Sequence, residues 1–229
     1  MGHPASGVRA TGVVCLQGGS ELTAACRPMD TELLQLAPDG PVVVVALASE
    51  PGADYSRTTA NAARYFADLG AEVEVPADPR RGADEALQQV AAAGLVFMTG
   101  GSPRRLRDAL VATGVGDAIT ARAQAGGVIV GSSAGAMVAC ATTLLPQWRG
   151  RPDAGPGLGL VQAAVVVPHY DGKRKAWVEA GLSVEPAVLG IPECSGVVMQ
   201  DGEMRRVGVE APTLITASRG GCWVRTNVG

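Results

Sequence analysis

Two histidines and five cysteines are few for a chain of 229 residues, and neither set is arranged to hold a metal. Cys15, Cys26, Cys140, Cys194 and Cys222 are widely spaced, odd in number and without a C-x-x-C pair. That argues against a zinc site and against a disulfide framework, and the cysteines read as reduced residues, mostly of the core. His3 and His169 belong to no H-E-x-x-H or similar cluster, so no metal and no cofactor is expected. An excess of positive charge is also missing. Nineteen basic and 22 acidic residues, spread along the chain for a formal net charge of −3, leave no electrostatic footprint for nucleic acid or an anionic membrane. No segment approaches the roughly 20 apolar residues of a membrane span, and "MGHPASGVRATG" lacks the apolar stretch of a signal peptide. A soluble, cytoplasmic protein with a small-molecule or peptide partner is expected.

What is present is hydrophobic content of 47%, 31 glycines and 15 prolines without a low-complexity block. This composition predicts one globular domain over residues 1–229, with roughly the first ten residues a flexible tail. Strand-like runs alternate with helix-like ones: "GVVCLQ", "PVVVVALAS", a helix from Ser56 to Leu69, "AEVEVPA", a helical "ADEALQQVAAAG" stopped at Gly94, then "LVFMTGG". Helices over Pro103–Thr113 and Val115–Ala125 precede "GVIVG". The alternation predicts βαβ units and a doubly wound, mostly parallel sheet with helices on both faces, an α/β/α sandwich. After "AAVVVPHYD" the pattern becomes short strands, "AVLGIPE", "GVVMQDGEMRRVGV", "APTLITA" and "CWVRT", with Asp201-Gly202 as a hairpin turn. A short antiparallel C-terminal extension is expected. Pro146 to Leu160 reads as a long surface loop.

Gly131-Ser132-Ser133-Ala134-Gly135 fits G-x-S-x-G, between an apolar "VIV" and the small helix formers "AMVACA". That is the strand, sharp turn and helix of a nucleophile elbow, with Ser133 at the nucleophile position and Ser132 as structural partner. The following N–H groups, at a helix N-terminus, would stabilise an oxyanion. The same residues would also serve as an ordinary helix cap. A nucleophilic serine needs a base, and His169, at the end of an apolar strand, is the candidate. The histidine in turn needs an acid: Glu193 ends the next strand candidate, with Asp171 and Asp153 as alternatives. Thr99-Gly100-Gly101 ends a strand where unhindered N–H groups would face the attacked carbonyl.

The order Ser133, His169, Glu193 differs from the Ser, acid, His order of α/β-hydrolases. Paired glycines at a strand end, "GSSAGA", a histidine after the next apolar strand and then "GIPE" together resemble the cyanophycinase and aspartyl dipeptidase E family of serine peptidases. The resemblance runs from about "VCLQGG" to "MRRVG". It implies a fold similar to class I glutamine amidotransferases, Ser133 as nucleophile, His169 as base, Glu193 as acid, and the N–H groups of Gly101 and Ala134 as the oxyanion hole. The family's dipeptidase branch places its acid in the loop after the nucleophile helix, where Asp153 is this chain's carboxylate. Two places depart from cyanophycinase-like sequences: Val167 stands where an aspartate precedes the histidine, and "SPRR" follows the paired glycines. The "PHYD" form is closer to the dipeptidase branch.

The expected activity is hydrolysis of a dipeptide or small amide, Asp-containing substrates included, through an acyl-enzyme. A cyanophycinase-type exopeptidase is one alternative, and a non-catalytic binding or regulatory member of the same fold is another. Glutamine amidotransfer is disfavoured, because Cys140 falls about two helical turns beyond the elbow. Lys173, Arg174 and Lys175 form a basic cluster in which Arg174 and Lys175 are candidates to pair with a substrate carboxylate. The Ala-rich helix faces and the C-terminal strands are candidate surfaces for a homodimer.

Overall fold

Runs of β-branched residues become the strands of a central sheet in a computed structural model that describes residues 7–218 and 223–229. His3 and Cys222 lie outside the described residues. In chain order the first half contains β1 (Arg9–Ala10), β2 (Val13–Gln17), α1 (Arg27–Leu36), β3 (Val42–Val45), α2 (Ala53–Ala67), β4 (Val73–Glu74), α3 (Asp84–Ala92), β5 (Leu95–Met98), α4 (Pro103–Thr113), α5 (Val115–Gln124) and β6 (Val128–Ser132). The strands β2, β6, β5, β3 and β4 are neighbours in that order, all parallel. Alternation along each strand splits the core in two. Val42, Val44, Leu95, Phe97, Val128 and Val130 face one way, onto Met29 and Leu33 of α1 and Phe66 of α2. Val43, Val96, Met98 and Ile129 face the other way, onto α3, α4, α5 and the elbow helix. Phe66 and Phe97, both essentially unexposed, meet edge to face with centroids 5.0 Å apart, an arrangement worth about 0.5–1.5 kcal/mol beyond burial of area.

The second half contains α6 (Ala134–Ala139), β7 (Thr142–Leu145), β8 (Asp153–Pro156), β9 (Val161–Gln162), β10 (Ala164–Pro168), α7 (Lys175–Leu182), β11 (Ala187–Ile191), β12 (Ser195–Gln200), β13 (Glu203–Gly208), β14 (Thr213–Ala217) and β15 (Trp223–Asn227). The C-terminal strands divide between two sheets. The hairpin β12–β13 adds antiparallel to β2 and completes a seven-stranded sheet. Asp201 and Gly202 join its strands, at φ 53° and 81°, the positive values a type I′ turn requires. β10, β11, β14 and β15 form a separate four-stranded sheet in which β10 and β11 are parallel. Its apolar residues join the core on the α6 side.

Two expectations need correction. Pro146–Leu160 is more than a loop: Asp153–Pro156 pairs antiparallel with Thr142–Leu145, so the segment is the far half of a hairpin. Thr-Thr-Leu-Leu, β-branched and then apolar, supplies one strand, while Gly and Pro in the partner mask it in sequence. The flexible tail expected over roughly the first ten residues does not extend over residues 8–10, because Val8 is buried and Arg9–Ala10 pairs with Val161–Gln162. No helix among the described residues is long and apolar enough to cross a membrane.

Candidate active site

β6 ends in the G-x-S-x-G turn, and the glycines are there for space. A Cβ on Gly131 would lie 2.5 Å from the Gly135 carbonyl, and one on Gly135 would lie 2.4 Å from the Met98 carbonyl. The helix α6 can therefore start only a turn away from the strands. Ser133, between them, takes φ 48° and ψ −105°, a conformation that costs a non-glycine residue about 1–3 kcal/mol. Its N–H is fixed by the Gln17 carbonyl at 3.0 Å. The strain lifts the hydroxyl above the carboxyl end of the sheet, and Ala134 begins α6, where N–H groups lie outside the intrahelical ladder.

His169 follows β10 and Glu193 follows β11. Because those strands are parallel neighbours with Pro168 opposite Ile191, both side chains emerge at one edge. Ser133 Oγ lies 2.9 Å from His169 Nε2, and His169 Nδ1 lies 2.8 Å from Glu193 Oε1. A carboxylate only accepts, so Nδ1 carries the ring proton and donates it to Glu193, which leaves Nε2 free to accept from Ser133. The hydrogen bond from His169, and after it one from the Ser20 hydroxyl, hold the Glu193 carboxyl below its ordinary value. Asp153 instead accepts from Gln147 within the β7–β8 hairpin. Asp171 accepts from the Lys173 N–H at 2.9 Å.

Thr99, Gly100 and Ser102 each donate their backbone N–H to a protein acceptor, whereas the Gly101 N–H has none among the described residues. It is an open donor in the turn after β5, the strand beside β6. Arg174 Nε donates to the His169 carbonyl at 3.1 Å, which brings this guanidinium to the site. Lys175 is not brought there. Its side chain is 76% exposed and lies 3.7 Å from Glu179 on the next turn of α7. Cys140 is fully buried, and burial pushes its thiol up to about 12, which removes it as a nucleophile.

The loop after β2, Gly18 to Glu21, escaped the sequence reading although it touches every part of the site. The Gly18 carbonyl accepts the His169 N–H at 2.8 Å, and the Gly19 carbonyl accepts the Cys194 N–H at 3.0 Å. Gly19 lies under the imidazole, where a Cβ would come 2.2 Å from Cε1. Glu21 accepts from the Gly100 N–H and the Ser132 hydroxyl. The available signal was a second glycine pair at a strand end, followed two residues later by a carboxylate. Backbone strain also marks the region. Of the non-glycine residues with positive φ among those described, Ser20, Leu22, Ser133, His169 and Cys194 belong to these loops, and only Ala163 and Asp201 lie elsewhere.

The model of peptidase family S51 matches residues 15–207. No curated protein matches the sequence. Among solved structures, a peptidase from an acI-B1 Actinobacterium superposes with a TM-score of 0.75 at 21% identity, covering 96% of each chain. A provisionally assigned peptidase E protein from Listeria monocytogenes EGD-e superposes with a TM-score of 0.66 at 18% identity, covering 88% of this chain and 100% of that one. At these identities the superpositions speak for the fold, a mixed α/β architecture around a large, mostly parallel sheet.

Proposed function

The chain belongs to peptidase family S51 and is a serine peptidase; from that premise we propose that it hydrolyses a dipeptide or small amide through an acyl-enzyme on Ser133. Ser133 Oγ attacks the substrate carbonyl while His169 Nε2 takes its proton. The N–H groups of Gly101 and Ala134 receive the oxyanion. His169 returns the proton to the leaving amine, then draws one from the water that cleaves the ester. Glu193 keeps the Nδ1–H tautomer and stabilises the imidazolium.

The observation that carries this reading is the continuous chain from Ser133 Oγ to His169 Nε2 at 2.9 Å and from His169 Nδ1 to Glu193 Oε1 at 2.8 Å, on a strained elbow. The strain on Ser133 beside an open N–H donor supports this reading over a non-catalytic one. Arg174 has guanidinium N–H groups beyond the one held by the His169 carbonyl, and they suit a substrate carboxylate at the rim.

Two measurements test the proposal. A fluorophosphonate probe should label the native enzyme and leave Ser133→Ala unlabelled; equal labelling of the variant would sink the assignment. A library of Asp-Xaa and Xaa-Asp dipeptides should contain a substrate whose turnover disappears in His169→Ala.

A further inference from the structure

The oxyanion donor and the nucleophile stand on different strands, so something must hold β5's turn in register with β6's elbow. The carboxylate of Glu21 bridges the residues that immediately precede each. Its Oε1 accepts the Gly100 N–H at 2.7 Å, and its Oε2 accepts the Ser132 hydroxyl at 3.0 Å. Ser132 is fully buried, so its hydroxyl depends on this partner. Glu21 comes from the loop after β2 and reaches over the end of β6 to the end of β5, in the sheet order β2, β6, β5. The loop is strained to do so: Ser20 and Leu22, on either side of Glu21, have φ 56° and 62°. For Leu22 that conformation has no local reward.

The bridge also sorts the donors of the turn. With the Gly100 N–H given to Glu21 and the Ser102 N–H to the Ala48 carbonyl at 3.1 Å, the Gly101 N–H is left as the turn's open donor among the described residues. Resting on the Ser133 reading above, we infer that Glu21 is a positioning residue that locks the oxyanion turn to the nucleophile elbow. It acts as a hydrogen-bond acceptor. Its negative charge is not required and opposes the oxyanion.

That distinction decides the test. The maximal labelling rate and the apparent affinity of a fluorophosphonate probe, whose phosphoryl oxygen occupies the oxyanion position, are measured for the native enzyme, Glu21→Ala, Glu21→Gln and Ser132→Ala. Glu21→Ala should lose roughly ten- to a hundredfold in maximal rate at unchanged probe affinity, the scale of a displaced oxyanion donor. Glu21→Gln, whose amide carbonyl still accepts the Gly100 N–H, should recover most of that rate. Ser132→Ala should be slowed less than Glu21→Ala. Should Glu21→Ala not fold, Glu21→Gln close to native speed beside a slowed Ser132→Ala sustains the inference. Native speed in Glu21→Ala overturns it. So does Glu21→Gln as slow as Glu21→Ala with weakened probe affinity, which would make Glu21 a charge that recognises the ligand. A native enzyme that is never labelled defeats the Ser133 reading first, and the inference with it.

Discussion

His169 Nδ1 and Glu193 Oε1 are 2.8 Å apart, yet 57% of the Glu193 side chain is open to solvent. An exposed carboxylate contributes little to stability through such a pair, so its value lies in orienting the imidazole. Glu193→Gln should therefore leave the denaturation midpoint nearly unchanged and lower kcat/KM by at least about a hundredfold, because a neutral amide no longer enforces the tautomer. Asp153→Ala, in the β7–β8 hairpin, should keep native kinetics. If the two variants exchange these outcomes, the acid has been assigned to the wrong residue.

The glycine under the imidazole makes a second prediction. Gly19 has φ 113°, and an added Cβ would come within 2.2–2.8 Å of three ring atoms of His169. Either the loop or the ring must move, and a ring displaced by about 1 Å loses on the order of a hundredfold in rate. Gly19→Ala should fold, with kcat collapsing and the seven-stranded sheet intact by circular dichroism. Native kcat in this variant would mean that the loop yields freely and does not position His169.

The fold was largely legible in sequence because its signals are local. Four consecutive valines at 42–45, "LVFM" and "VIVGS" are short apolar runs with β-branched or aromatic residues, the pattern of parallel strands buried on both faces, and Asp201-Gly202 announced its hairpin. That Ser133, His169 and Glu193 come together was legible for the same reason: each closely follows the end of a recognisable strand. Which sheet a strand joins was not legible. β11 and β12 are separated only by residues 192–194, yet they lie in different sheets, a choice made by long-range pairing. Glu21 escaped for a related reason. Its partners, Gly100 and Ser132, are 79 and 111 residues away, and a lone glutamate in a loop looks like any solvated carboxylate. The hairpin at 153–156 was hidden by its Gly and Pro.

The two substrate candidates of the basic cluster part ways, one at the site and one outside it. Arg174 donates to the backbone of His169, whereas Lys175 is paired with Glu179 on the solvent face of α7. For a dipeptide that the enzyme turns over, Arg174→Ala should raise KM about tenfold or more, while Lys175→Ala should change neither KM nor kcat. A salt titration adds a check: a substrate carboxylate held by Arg174 makes KM rise with ionic strength, and that rise should vanish in Arg174→Ala. Equal KM effects from both lysine and arginine variants would point to a diffuse field in place of a contact.

Asp30 makes the last prediction, because it is buried against Gln17 at the end of β2 with no cation paired to it among the described residues. Its carboxylate takes hydrogen bonds from Gln17 Nε2 and the Tyr65 hydroxyl, each at 2.7 Å, but burial outweighs them and pushes the carboxyl up to about 6 from an ordinary 3.8. A raised carboxyl has a definite sign. Between about pH 4 and pH 6 the folded protein keeps a proton that the unfolded chain releases, so stability falls as pH rises through that window, by on the order of 3 kcal/mol. Below it both states are protonated, and above it both are ionised. Asp30→Asn removes the titration and keeps the network, since Asn accepts from Tyr65 and a rotated Gln17 amide offers Oε1, which has no partner at present. Subtracting the two urea-denaturation series from pH 4 to pH 7.5 should isolate this fall, leaving Asp30→Asn the more stable at pH 7. Labelling of Ser133 should survive, because the Gln17 backbone carbonyl, and not its side chain, holds the Ser133 N–H. Parallel stability curves for the two proteins would mean that Asp30 is ionised throughout the range.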